Sequence, residues 1–482
     1  MALLLFMTLA AWSMGSAVGS SPDENYVLTS IWCGTEGNPP YCRKDPTNDT
    51  AMIVPELVGM PGKCYYDGGP AQSALCQLQS YANDQTMPTS AYNKGNYPNL
   101  YFEFHRNLVS YDVALSVMKM RLLNSLIATL LIFAISSLTR NKGSSALIIL
   151  LSLSSPVAFY YISSIDSSSW AITGTIGFAL ALGVVWNNLH TRKILLPALL
   201  FCLISVFLAV NSRTESKYIL LFLGALATFA IPTNKKKNRR KTISIFLVLT
   251  LLSILLSLSR EIRSFGQFPS IAQNRLIGEF GNTSYSLLVQ NFLELPKAFL
   301  GFFGFWGLGN YDVQLPSLVL FLLMLNFLWI ASFFFNQLNR NSRLVACGIL
   351  GALLLALLEF NQQMDNYVNR LVQPKYLLPL FLGTISFFAI LVKNNPTRSL
   401  TLKLSAAAMI ANSVSLRTTL RRYTTGNEID VGRSLNNPLE WWWNFGPSPE
   451  IIWLAGTISF AVLLVLLGSE KTKNLNSGSD FQ

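Results

Sequence analysis

Apolar runs of about twenty residues, with few charged positions in them, decide what this chain can fold into. They lie at about 2–20, 118–138, 144–163, 170–187, 194–210, 217–232, 242–259, 316–335, 344–360, 375–392, 398–415 and 449–468. Crossing about 30 Å of hydrocarbon at 1.5 Å per residue takes roughly 20 helical residues, so each run has the length of a transmembrane helix. A helix lying on a soluble core would show an apolar stripe instead. Charged residues make up 12% of the 482 positions, about half the share usual in soluble domains. The expected fold is therefore an all-α polytopic membrane protein with about twelve transmembrane helices. One integral membrane domain covers 1–468, and a short cytoplasmic tail covers 469–482.

The net charge of +12 sits mostly in short loops between the runs. Arg140 and Lys142, Arg192 and Lys193, the basic stretch 235–241, Arg340 and Arg343, Lys393 and Arg398, and Lys471 and Lys473 all fall on one side of such a bundle. The positive-inside rule makes that side cytoplasmic, with both termini on it and the chain in the plasma membrane. The stretch from Lys235 to Lys241 then reads as a topology determinant beside anionic lipid, and nucleic acid is not an expected partner. Met1–Ser20 ends in Gly15-Ser16-Ala17, as a cleaved signal peptide would, yet has no basic residue before its apolar core. A retained first helix fits it better.

Three segments on the opposite, extracytoplasmic side are too long to be simple connections: about 21–117, 260–315 and 416–448. The first carries Cys33, Cys42, Cys64 and Cys76, which suggest two disulfides with the connectivity open. The second holds an apolar stretch from Tyr285 to Leu308, interrupted by Pro296 and several glycines, which fits a re-entrant or interface-lying hairpin. The third holds Trp441-Trp442-Trp443, either an aromatic belt for the last helix or a surface on which a sugar stacks. Cys202 and Cys347 read as apolar filler inside spans, and His105 and His190 as loop or interface residues.

No phosphate-binding loop, dinucleotide fingerprint, nucleophile elbow or metalloprotease motif is present. No organic cofactor is expected, no metal ligand set stands out, and a divalent metal is left open. Chemistry is expected instead from acids and bases at the outer ends of helices. Asp23 and Glu24 follow the first run at once, where a carboxylate could act as a base toward a substrate at the membrane surface. Arg370, Gln373, Lys375 and Tyr376 stand at the outer mouth of the run at 375–392, and Arg421-Arg422 stand beyond the run at 398–415. Cations there run against the positive-inside bias, so they either snorkel or bind an anion such as a lipid phosphate.

Several short segments, in order, resemble the "domain of unknown function 2142" family of bacterial membrane proteins. They are Ser21-Pro22-Asp23-Glu24, Tyr97-Pro98-Asn99-Leu100-Tyr101, Met120-Arg121-Leu122, Ser155-Pro156 with Ser164-Ile165-Asp166-Ser167-Ser168, and Gly301 to Pro316. Gln373-Pro374-Lys375-Tyr376-Leu377-Leu378-Pro379 and Arg421-Arg422-Tyr423 with Gly426 complete the set. That family looks like a branch of the GT-C glycosyltransferases, which take sugars from polyprenyl-phosphate carriers. The resemblance implies Asp23 as catalytic base, with Glu24 as second choice, and a retained first helix to anchor it. Lys375, with Arg370 or Arg422, would hold the departing phosphate. The implied partners are membrane lipid, a polyprenyl-phosphate-linked sugar donor and an envelope polysaccharide, lipid or protein acceptor. The sequence departs from the family at Lys375, where Arg is usual, at Asn99 in place of the second Pro, and at Asp166-Ser167 in place of Asn-Pro. A transporter or flippase of a lipid-linked envelope precursor, or a non-catalytic assembly protein, is the alternative.

Overall fold

The computed structural model describes residues 1–66, 72–78, 85–139, 142–229, 284–348, 350–351, 374–426, 434–437 and 439–476. The helices that build it are α1 (Ala2–Met14), α2 (Glu24–Cys33), α3 (Leu100–Arg106), α4 (Val113–Ser137), α5 (Gly143–Ser154), α6 (Val157–Ile162) and α7 (Ser168–Asn187). They continue with α8 (Arg192–Val210), α9 (Ser216–Phe229), α10 (Ser284–Leu300), α11 (Ser317–Gln337), α12 (Leu378–Leu391), α13 (Arg398–Thr425) and α14 (Pro449–Asn476). Among the described residues, six helices are long and apolar enough to cross a membrane: α4, α7, α8, α11, α13 and α14. Shorter apolar helices are α1, α5, α12 and Ser216–Ala225 within α9. Together these account for every apolar run except 242–259 and 344–360, which lie wholly or largely outside the described residues.

The chain is mostly helical rather than all-α. Between the first two spans, β1 (Arg43–Lys44), β2 (Met52–Pro55) and β3 (Thr86–Thr89) form an antiparallel sheet in the order β1-β2-β3. Two disulfides brace the same loop, Cys33–Cys42 and Cys64–Cys76, which selects one of the pairings left open by the sequence.

Helix α7 is buried from Ser168 to Val185 and packs on α4, α8, α9 and α12. Small residues allow this. A side chain at Gly174 would come within 2.6 Å of the Ser205 carbonyl, and one at Gly177 within 2.6 Å of the Ser205 hydroxyl. Where lipid removes the water-driven incentive to associate, such close backbone approach supplies the packing. Helix α5 sits at a second centre, against α11, α12, α13 and α14.

Two expected spans differ in shape. The run at 144–163 is divided into α5 and α6 at Ser155-Pro156, because proline has no N–H and pushes the preceding residue to extended backbone. The first helix stops at Met14, and residues 15–22 run on as non-helical, buried chain. The reason is Arg121 on α4. Its Nη1 donates to the Ser13 carbonyl at 3.1 Å and the Ser16 carbonyl at 2.7 Å, and its Nη2 to the Ala17 carbonyl at 2.9 Å. Trp443 Nε1 donates to the Met14 carbonyl at 3.0 Å. The carbonyls that a helix leaves unpaired at its C-terminus are thus met by side chains, and the cation suits the negative end of the helix dipole.

Trp442 and Trp443 are buried against this helix end and Tyr423. These two form neither a lipid-facing belt nor an open stacking surface. The stretch Tyr285–Leu308 is likewise no hairpin. It is one helix, α10, which passes through Pro296, followed by a turn at Gly301–Phe303. Phe302 of that turn stacks on Phe381 of α12, with ring centres 5.1 Å apart, while Phe299, Phe303 and Phe327 meet the same ring edge-on or tilted. This aromatic cluster fixes α12 just beyond Lys375.

Among the described residues, connections gather at two ends of the bundle. At one end Lys142 Nζ donates to the Val392 carbonyl at 2.7 Å, Asn187 to the Ile390 carbonyl at 3.0 Å, and Ser144 to Glu470 at 2.8 Å. At the other end, four connections meet: residues 15–23, 163–167, 211–215 and 374–376.

Candidate functional site

At that meeting point stands Lys375, on a single 3-10 turn (Pro374–Tyr376) ahead of α12. The side chain is 1% exposed. Its Nζ donates to Asp166 Oδ2 at 2.9 Å, Asp23 Oδ2 at 3.0 Å and the Pro22 carbonyl at 3.3 Å. An ammonium has three N–H donors, and here each has an acceptor.

The two carboxylates differ. Asp166, in the turn between α6 and α7, is 2% exposed. It also accepts from the Ser168 backbone N–H at 2.7 Å and lies 3.6 Å from Arg213 Nη1. Asp23 is 57% exposed and has Lys375 as its ion-pair partner. It occupies the N-cap of α2, where Asp commonly accepts from the first turn, yet its side chain makes no capping bond. The carboxylate is turned to Lys375 instead. Its backbone is left-handed, with φ +63°, as is that of Tyr311, with φ +64°. Among the described residues these are the two non-glycine positions with positive φ. Such conformations are uncommon and concentrate at functional sites.

Arg213 completes the cluster. It donates to Ser168 Oγ at 2.8 Å, pairs with Glu215, and lies over the Tyr376 ring at 4.6 Å and the Tyr97 ring at 5.7 Å. Lys375 is 5.9 Å from the Tyr161 ring centre. Tyr311 is near enough for its phenol to respond to charge on Lys375, Asp23 and Asp166; burial pushes its pKa up and Lys375 opposes this. The result is a mouth of charged groups walled by tyrosines.

Burial by itself would raise the pKa of Asp166, but Lys375 and then Arg213 outweigh it and bring the carboxyl below its ordinary value. Burial disfavours the Lys375 ammonium, but Asp166 and Asp23 outweigh it in turn and raise its pKa. The stability from Asp166 is thus complete above its ordinary value of 3.8 and is lost as pH falls through the lower folded value. That from Lys375 is complete below 10.5 and is lost as pH rises through the higher folded value. Through the acid range, the melting temperature of Asp166→Asn is expected to fall less steeply than that of the wild type. Parallel curves would show that Asp166 is not the group responsible.

Of the residues singled out from sequence, the fold brings Asp23, Lys375 and Tyr376 together. Glu24 is next in the chain but turned away. It is fully buried, 3.0 Å from Arg121 Nη2, and accepts from the Ser21 N–H at 2.9 Å. Arg422 is buried too, 2.8 Å from Asp312 Oδ2, and donates to the Gln72 carbonyl at 2.8 Å. It ties the loop that carries Tyr311 to α13. Arg421 is only partly buried beside it. Arg370 and Gln373 lie outside the described residues. His105 is a core residue of α3, between the Tyr101 carbonyl at 2.8 Å and Asn124 at 3.0 Å. Burial pushes its imidazole down to about 4.

Sequence reasoning missed Asp166 and Arg213 as site residues. Asp166 stood out only as a departure from the family's segment and Arg213 not at all, although charge next to a span in so apolar a chain is itself a signal. Among the described residues, no three His, Cys, Asp or Glu side chains gather as a metal site. A cavity of about 190 Å³ lies between α11, α12 and the helical residues 340–348. Phe381, Thr384, Ile385 and Phe388 of α12 line it, opposite Phe327, Ala331 and Phe334.

Long apolar helices, a small disulfide-braced loop domain and a charged mouth at one end define a polytopic membrane protein. The chain belongs to the DUF2142 family of predicted membrane proteins, whose model matches residues 6–384. No curated protein and no solved structure shows significant similarity to it.

Proposed function

We propose that this protein is a membrane glycosyltransferase of the GT-C type. It transfers a sugar from a polyprenyl-phosphate carrier to a hydroxyl of a cell-envelope acceptor on the extracytoplasmic face. The observation that carries this reading is an exposed carboxylate, Asp23, 3.0 Å from a buried ammonium, Lys375. A carboxylate open to an acceptor and a buried cation of the kind that binds phosphate stand side by side.

In the reaction, Asp23 takes the proton of the acceptor hydroxyl while its oxygen bonds to the anomeric carbon. The bond from that carbon to the carrier's phosphate oxygen breaks, and its electron pair stays on the phosphate. Lys375 stabilises the charge gathering there. The products are the glycosylated acceptor and the polyprenyl phosphate; the proton leaves from Asp23 to solvent. Asp166 and Arg213 position Lys375, and the tyrosine walls offer faces for the sugar. With purified protein and a radiolabelled polyprenyl-phosphate sugar, Lys375→Met is expected to abolish transfer. Undiminished turnover by that variant would sink the role given to Lys375.

The carrier's tail is assigned to the apolar cavity, because α12 runs from Lys375 directly along its wall. Ala331→Trp fills that space without touching the charged cluster. It is expected to raise KM severalfold for long-chain donors and to spare a short-chain donor; equal KM values for both would place the tail elsewhere.

A second reading rests on the break between α5 and α6. There the buried Asn412 side chain accepts from Ser155 and Trp12, each at 3.0 Å. Interrupted helices with buried polar groups also serve transporters. Translocation of a labelled lipid-linked precursor in proteoliposomes, with the carrier bond intact, would favour that reading.

A further inference from the structure

Lys375 cannot receive a phosphate in the arrangement seen. All three of its donors are in use, and the two cations Lys375 and Arg213 already face the two carboxylates of Asp23 and Asp166. Glu215 adds further negative charge beside Arg213. Among the described residues of the cluster, an arriving phosphate would meet no positive charge that is not already paired. One of the three partners must leave first.

The geometry says which. The Pro22 carbonyl is fixed by the backbone. Asp166 is 2% exposed, bonded to the Ser168 N–H and flanked by Arg213, so removing it from Lys375 would strand a buried charge. Asp23 is 57% exposed, forgoes its capping bond and has water to turn into. We propose that Asp23 is an exchangeable latch on Lys375. The donor's phosphate displaces its carboxylate from the ammonium, and that displacement frees the carboxylate to act as base. Asp166 is the permanent partner that keeps Lys375 charged and in place throughout.

This inference rests on the phosphate-binding reading of Lys375 and adds a coupling to it. Until a donor binds, the Asp23 carboxylate is held by Lys375 at 3.0 Å and is not presented to an acceptor. During transfer Asp23 gains the acceptor's proton and loses its charge while the phosphate gains charge. The phosphate, already on Lys375, therefore holds it more strongly as the competing carboxylate loses its charge. Once Asp23 gives up the proton, it competes for Lys375 again and helps to expel the spent carrier.

The latch predicts an unusual variant: one that binds better because it has lost the base. Asp23→Asn and Asp23→Ala both remove the competing charge at an exposed position, and Asn tolerates the left-handed backbone well. Farnesyl phosphate and farnesol would be titrated into the purified full-length protein and both variants in detergent. Farnesyl phosphate is expected to bind each variant at least about fivefold more tightly than wild type, a difference of about 1 kcal/mol, with farnesol unchanged. If the wild type prefers farnesyl phosphate to farnesol but neither variant gains affinity, the latch is overturned and the phosphate site stands. If no form distinguishes the two ligands, the phosphate site falls and takes the latch with it.

Discussion

Asp23→Asn is expected to lower sugar transfer by roughly 10²–10⁴-fold, the contribution of a positioned general base, with no loss of melting temperature. The side chain is exposed and makes no capping bond, so little of the fold depends on it. The amide keeps the shape and hydrogen-bonding reach but cannot take the acceptor's proton. The neighbouring change Glu24→Gln provides the contrast: it acts on the Arg121 pair and should reduce the amount of folded protein. If Asp23→Asn retained full activity, the base would have to be sought elsewhere, and Asp166 could not replace it, being enclosed between Lys375 and Arg213.

The largest effect on folding is expected from Arg121. Its guanidinium is buried, 3.0 Å from Glu24, and closes the end of α1 through the carbonyls of Ser13, Ser16 and Ala17. Arg121→Met leaves Glu24 as an uncompensated buried charge and those carbonyls without their donor. Breaking one partner of a buried pair costs about 3–5 kcal/mol, enough to threaten most domains. The double variant Arg121→Met with Glu24→Gln removes both charges and is expected to recover part of the loss. Thermal unfolding followed by size-exclusion chromatography would measure both. Equal stability of wild type and Arg121→Met would show that the helix end needs no such clamp.

Periodicity made the helices legible, because a run of twenty apolar residues has few other fates. Its limits appear wherever a side chain from far away decides where a helix stops. The run from Ala2 continues through Ala17-Val18, yet α1 stops at Met14 because Arg121, more than a hundred positions later, takes the carbonyls beyond it. Pro156 inside the third run could be read as a break, and the structure makes it one. The site was half visible. Asp23 and Lys375 were marked by lying at the ends of spans, and the fold placed them 3.0 Å apart across 352 positions. Asp166 was marked only as a departure from the family's segment and Arg213 not at all, since a single loop charge carries no trace of its partner until topology brings four loops to one end. The tryptophan triplet showed the reverse limit: its composition fits a membrane interface, while Trp442 and Trp443 are buried against α1 and Tyr423.

The distances in sequence across that cluster bear on how the protein is made. Synthesis is vectorial, so Asp23 and Asp166 are delivered long before Lys375, which follows Asp166 by 209 positions. During that interval Asp166 can have Arg213 but lacks the ammonium of Lys375, so its burial is compensated only in part until α12 is inserted. Closure of the mouth is therefore expected to be a late, charge-driven event in biogenesis. A chain that stops short of residue 375 is expected to leave the bundle open at that end, exposed to quality-control proteases, with no half-formed site able to act on a carrier lipid.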